Sequence, residues 1–141
     1  MAVRYFALII GLVYALVGIL GFFPGVRHDM GTGAPDLAVD SQYGLLLGLF
    51  PINILHNIVH LLIGVWGISA YSGYGAAKTF SKGLAIIYGL LAIMGLIPGL
   101  NTLFGLVPLY GNDVRLHAAT AIVAPYFGWG TPAREPTTRA R

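Results

Sequence analysis

Four stretches without a charged side chain, from Tyr5 to Val26, Ser41 to Ala77, Gly83 to Asn112 and Leu116 to Ala133, constrain this chain more than any motif in it. A helix needs about 20 mostly apolar residues to cross the hydrocarbon core of a bilayer, so these runs predict four transmembrane helices in an all-α membrane protein. Composition agrees: charged residues make up 9% of the chain and hydrophobic ones 57%, which would leave a soluble domain of this size with large apolar patches in water. The expected helices run from Arg4 to Phe23, Ile52 to Ala70, Thr79 to Ile97 and Asp113 to Trp129, in one membrane domain over residues 1–130. Pro24-Gly25 and Pro98-Gly99 stop the first and third helices. Tyr71 to Gly75 reads as a short turn, and Pro125 kinks or ends the fourth helix. The tail over residues 131–141 is rich in Pro, Thr and Arg and is expected to be a flexible cytoplasmic segment.

Several classes of protein are excluded early. The first apolar stretch is longer than the roughly 7 to 15 residues of a signal-peptide core and lacks a small-residue cleavage site, so it is expected to stay as a helix. The chain has no cysteine, which removes thiolate catalysis, iron–sulfur clusters and cysteine zinc sites. Its net charge of +3 does not point to nucleic acid, because the Lys and Arg residues flank apolar spans and are not interleaved with exposed aromatics. Those cations instead orient the chain. With the N-terminus inside, Arg4, Lys78, Lys82, Arg134, Arg139 and Arg141 are cytoplasmic and only Arg27 and Arg115 lie outside. A multi-pass protein of the bacterial plasma membrane, with both termini in the cytoplasm, is the resulting expectation. Trp66, Trp129, Tyr71, Tyr74 and Tyr126 fall near the inner helix ends, as an aromatic belt would.

The chain reads as a tandem repeat. An offset of 74 residues superposes Pro24-Gly25 on Pro98-Gly99, and with them Phe6 on Phe80, Tyr14 on Tyr88, Leu16 on Leu90, Ile19 on Ile93 and Gly21 on Gly95. An offset of 57 superposes Gly48-Leu49-Phe50-Pro51 on Gly105-Leu106-Val107-Pro108 and His60 on His117, the first linker being longer by the difference of 17. Two helices per repeat give both copies the same orientation, related by a pseudo-twofold axis along the membrane normal. The expected architecture is therefore a left-handed bundle of two tandem helix hairpins.

Polar residues within the spans mark the candidate site. Asn53, His56, Asn57 and His60 recur at helical spacing and share one face, which Gly64 and Gly67 extend. Asp113, His117, Thr120, Ala121 and Ala124 form a similar stripe on the fourth helix, while Gly11, Tyr14, Gly18 and Gly21, and Ala85, Tyr88, Ala92 and Gly95, do so on the first and third. Polar groups rarely face lipid, so these stripes point inward, with the histidines and tyrosines in the outer half to the middle of the bilayer. The expected role is a buried polar layer of His56, His60, His117, Tyr14, Tyr88, Asn53, Asn57 and Asp113 in a non-enzymatic structural or accessory subunit. Hydrogen bonds from the histidines to Tyr14, Tyr88, Asn53 and Asn57 would contribute about 0.6 to 2 kcal/mol each. Two alternatives stand beside it. His60 and His117, with His56 on the same face, could ligate haem b or a divalent metal in an electron-transfer subunit. An oligomer could also use the same face as a small transporter or proton pathway.

At the outer start of the fourth helix, Asp113 is expected to cap the first turn. His28, Asp29, Asp36 and Asp40 have no calcium-loop spacing and read as a solvated loop. Gly31-Thr32-Gly33 is too short for a phosphate loop. No nucleophile elbow or acid pair appears, so no enzyme is expected. The expected partners are the lipid bilayer, further copies of the chain or a larger membrane complex, and not nucleic acid.

Gly18-Ile19-Leu20-Gly21-Phe22-Phe23-Pro24, then Gly48-Leu49-Phe50-Pro51-Ile52-Asn53 leading into His56-Asn57-Ile58-Val59-His60-Leu61 and Gly64, and finally Leu116-His117 resemble the signatures of an uncharacterised bacterial family of four-helix membrane proteins. That family is classed as a domain of unknown function. The resemblance runs from about Arg4 to Ala124 and implies four membrane helices without supplying an activity. Its fourth helix is usually approached by an Asn-rich segment, which Asn112-Asp113 represents here.

Overall fold

The computed structural model describes residues 1–133. It is mostly helical, with α1 over Ala2–Leu20, α2 over Ile54–Ala70, α3 over Tyr74–Leu96 and α4 over Asn112–Pro125. By length and composition α1 and α3 are long and apolar enough to cross a membrane. The other two are shorter: at about 1.5 Å per residue α2 is about 26 Å long and α4 about 21 Å, against roughly 30 Å of hydrocarbon.

An antiparallel sheet that the all-α expectation did not contain accounts for part of the shortening. Strands β1 (Arg27–His28), β2 (Gly44–Leu46) and β3 (Phe50–Ile52) pair in that order, with Arg27 opposite Leu46 and Leu45 opposite Pro51. Residues expected to open the second helix are thus extended, and the helix begins only after Asn53. The Asn53 side chain accepts from the His56 N–H at 2.9 Å, an N-cap that supplies the acceptor the first turn lacks. At the opposite end of the molecule α3 starts at Tyr74, earlier than the expected Thr79. The Lys78 ammonium there donates to the Thr131 and Pro132 carbonyls at 2.6 and 2.9 Å, tying the start of α3 to the segment after α4. Pro125 ends α4 as a regular helix, and a wider π-turn continues to Gly130, since proline has no N–H for the helical ladder. Beyond Ala133 the expected tail lies outside the described residues.

Helices pair as α1 with α2 and α3 with α4, and α3 also packs on α1 and α2. Small residues set the α1–α2 approach. A methyl built on Gly11 would lie 2.6 Å from the Ile68 nitrogen, and one on Gly64 2.5 Å from the Ala15 nitrogen, so neither position can carry a side chain while the backbones keep this distance. The core between the pairs is built of Phe6, Tyr14, Ile63, Phe80, Leu84 and Tyr88 among smaller residues. Phe6 stacks on Phe127 of the terminal turn with ring centroids 4.1 Å apart. The outward faces carry large aliphatic side chains, including Ile9, Leu12, Leu16, Leu62, Val65, Leu90, Ile93 and Ile122.

Candidate functional site

A cluster of buried ionisable groups lies at the sheet end of the helices. The first turns of α2, fixed by the Asn53 cap, direct His56 and His60 inward from positions one helical turn apart. From α4, Asp113 and His117 enter at the same spacing. His56, His60, His117 and Asp113 are only 2%, 3%, 1% and 1% exposed. The Asp113 carboxylate Oδ2 lies 3.5 Å from His117 Nε2 and 3.8 Å from His56 Nε2. One nitrogen from each of His56, His60 and His117 lies within 4.8 Å of the others.

The tyrosines complete the cluster through ring contacts. Tyr14 and His60 have centroids 5.2 Å apart, and Tyr88 meets His117 edge to face at 4.9 Å. The Tyr14 hydroxyl pairs with Thr120 Oγ1 at 3.0 Å. Sequence reasoning expected the histidines to spend their nitrogens on such partners. In the structure the Nδ1 atoms of His56, His60 and His117 and Oδ2 of Asp113 are buried without a hydrogen-bond partner. Native proteins leave few such atoms, because each forfeits its hydration for nothing in return. Beside the rings is a cavity of about 60 Å³ lined by His56, His60, His117, Tyr88, Leu103 and Leu109, among others.

Two expected members of the layer serve another purpose. Asn53 is buried, but its amide nitrogen donates to the Val39 carbonyl at 2.8 Å and the Leu106 carbonyl at 2.7 Å, clamping the two loops above the cavity together. Asn57, one residue past His56 and so turned about 100° around the helix, donates to Gln42 Oε1 at 3.2 Å. Asp113 is not the expected cap. Gly111 holds the N-cap position of α4 with no side-chain cap bond, and the carboxylate of Asp113 turns in to the histidines instead. Its place in the buried layer is the one expected from the stripe on the fourth helix, and a second signal agrees: the offset of 57 that places His60 on His117 also places His56 on Asp113. Among the described residues the histidine triad is the one group of three or more His, Cys, Asp or Glu at metal-holding separations, and the His28, Asp29, Asp36 and Asp40 loop forms no such group.

Fold and site together define a mostly helical protein with two helices able to cross a membrane and a histidine cluster buried beneath a small sheet. The chain belongs to the family described as a domain of unknown function, DUF4383, which matches residues 4–130. No curated protein and no solved structure matches it.

Proposed function

We propose that this chain is a multi-pass membrane protein of four spans, built as two tandem helix hairpins in one bundle, whose buried polar layer joins the hairpins in a non-enzymatic structural or accessory subunit. The observation that carries the reading is the inverted distribution of side chains. The centre holds His56, His60, His117 and Asp113, while the outward faces of the helices carry large aliphatics, up to Ile122 at 77% exposed. Water would penalise that coat, at roughly 25 cal/mol for each Å² of apolar surface left exposed, and lipid does not.

The repeat is supported by element boundaries. Shifted by 74, the end of α1 at Leu20 falls on residue 94, in the last turn of α3, and the start of α2 at Ile54, shifted by 57, falls on Gly111, next to the start of α4. Arg4, Lys78 and Lys82 gather at the end opposite the sheet, where Arg4 donates to the Tyr71 carbonyl at 2.8 Å and Lys82 lies 5.6 Å from the Trp129 ring. This is the end that the distribution of Lys and Arg assigns to the bacterial cytoplasm, with both termini.

Membrane fractionation with an alkaline carbonate wash, combined with accessibility labelling, tests the reading. A cysteine replacing Asp36 reacts with an impermeant reagent on intact cells, whereas one replacing Lys82 reacts only after the membrane is opened. Release of the protein by carbonate, or the reverse labelling pattern, refutes the span or topology assignment respectively.

A further inference from the structure

We propose that His56, His60 and His117, completed by Asp113, bind one divalent transition-metal ion of the zinc type, and that this ion is the bolt between the two hairpins. The ring nitrogens of the triad lie within 4.8 Å of one another, and the carboxylate oxygen is 3.5 and 3.8 Å from two of the rings. Around a tetrahedral zinc ion with bonds of about 2.0 to 2.1 Å, neighbouring ligand atoms are about 3.4 Å apart, so side-chain rotations that draw the donors inward complete the shell. Each donor side chain is more than nine-tenths buried, and the Asp113 Oδ2 that faces His117 and His56 has no hydrogen-bond partner. That oxygen is costly when idle and gains a partner once it faces a cation.

The donor chemistry and the space select the kind of ligand. Imidazole nitrogens with one carboxylate suit zinc and its first-row neighbours, whereas calcium and magnesium take oxygen shells. A cavity of about 60 Å³ accommodates an ion and a water, but a porphyrin needs a slot several times larger, with its two axial ligands on opposite faces. Here a third histidine and the carboxylate crowd the same point. Because His56 and His60 come from α2 and Asp113 and His117 from α4, one ion draws on both hairpins with an i, i+4 pair from each.

The inference rests on the proposed function only for what the ion joins; binding itself does not depend on a membrane. Protein carrying a histidine-free affinity tag is purified in detergent, its metal content measured, and the metal-stripped form titrated with Zn²⁺ and with Co²⁺ as a spectroscopic probe. One ion per chain is expected, with the visible bands of tetrahedral Co²⁺ displaced by Zn²⁺. His60→Ala and His117→Ala weaken binding by more than the roughly 10–100-fold that loss of a supporting group costs, and Asp113→Asn weakens it at least 10-fold. His28→Ala, at the exposed end of β1, leaves it unchanged. Wild-type protein that keeps its helical circular dichroism yet binds neither ion overturns the proposal, without touching the carbonate result. A Soret band in the purified protein overturns it as well. Affinity unchanged in Asp113→Asn removes that residue from the donor set.

Discussion

Replacing Gly64 by alanine places a methyl 2.5 Å from the Ala15 nitrogen and 2.7 Å from its Cα, inside the contact of α2 with α1. These are backbone atoms of a helix, so no side-chain rotation relieves the clash and the two helices must separate by about 1 Å. Overpacking of this kind costs about 1 to 3 kcal/mol, and the rigid neighbour puts Gly64 near the top of that range. Against it stands the helix propensity of alanine over glycine, about 0.8 to 1.0 kcal/mol. The net expectation is a loss of about 1 to 2 kcal/mol. Gly89 in α3 supplies the control, because a methyl there meets only the Ala121 Cβ, at 3.9 Å. The propensity term is then unopposed, and Gly89→Ala should raise stability by about 0.5 to 1 kcal/mol. Reversible unfolding in mixed detergent micelles, followed by circular dichroism, reads both variants. If Gly64→Ala unfolds at the same denaturant fraction as wild type, or later, the α1 and α2 backbones do not approach as described.

Other perturbations separate the remaining elements. His60→Leu should change stability by less than about 1 kcal/mol in metal-free protein, because it removes a buried ring whose Nδ1 has no partner. Zinc at 100 times its dissociation constant should then raise the wild type by about 2.7 kcal/mol and leave the variant unmoved; equal responses would detach the histidines from the ion. Asn53→Ala should cost about 2 to 3 kcal/mol, since it removes the α2 cap and strands the Val39 and Leu106 carbonyls. A loss no larger than that of an exposed cap would contradict the loop clamp. Burial, together with the hydrogen bond to Tyr43, pushes the Tyr110 phenol above its ordinary value. A raised pKa means that the folded state holds its proton more tightly, so the contribution is full below about pH 10 and fades as the pH climbs through the folded value. Wild type should therefore lose stability above about pH 10 more steeply than Tyr110→Phe, and parallel profiles would refute the assignment.

How far the sequence could be read depended on whether the deciding contacts were local. Four apolar runs and the period of His56, His60, Gly64 and Gly67 require only neighbours along the helix, and α1 to α4 overlap the expected segments. The sheet did not announce itself because its strands are two or three residues long, and Gly44–Leu46 and Phe50–Ile52 lie within an uncharged run that also contains α2. What holds them extended is pairing across the loop, with Arg27 opposite Leu46, at a separation no hydrophobic period reports. Asn53 reads as helical in the sequence for the same reason, although it caps α2 and its side chain serves two loops that are distant in sequence. For Asp113 only the capping expectation fails, because an aspartate at a helix start is an excellent cap where solvent reaches it and this one is buried. A carboxylate placed at that position and then buried beside two imidazoles needs a partner that the local sequence does not name. The offset of 57 that pairs His60 with His117 also pairs His56 with Asp113, and α2 and α4 each contribute one i, i+4 pair to the centre. Two like pairs that differ by a single residue, histidine in one copy and aspartate in the other, would bring four neutral donors to the centre if both were histidine. In the ion site proposed above, the aspartate would replace one of them with a group whose negative charge offsets part of the ion's own in a water-poor interior.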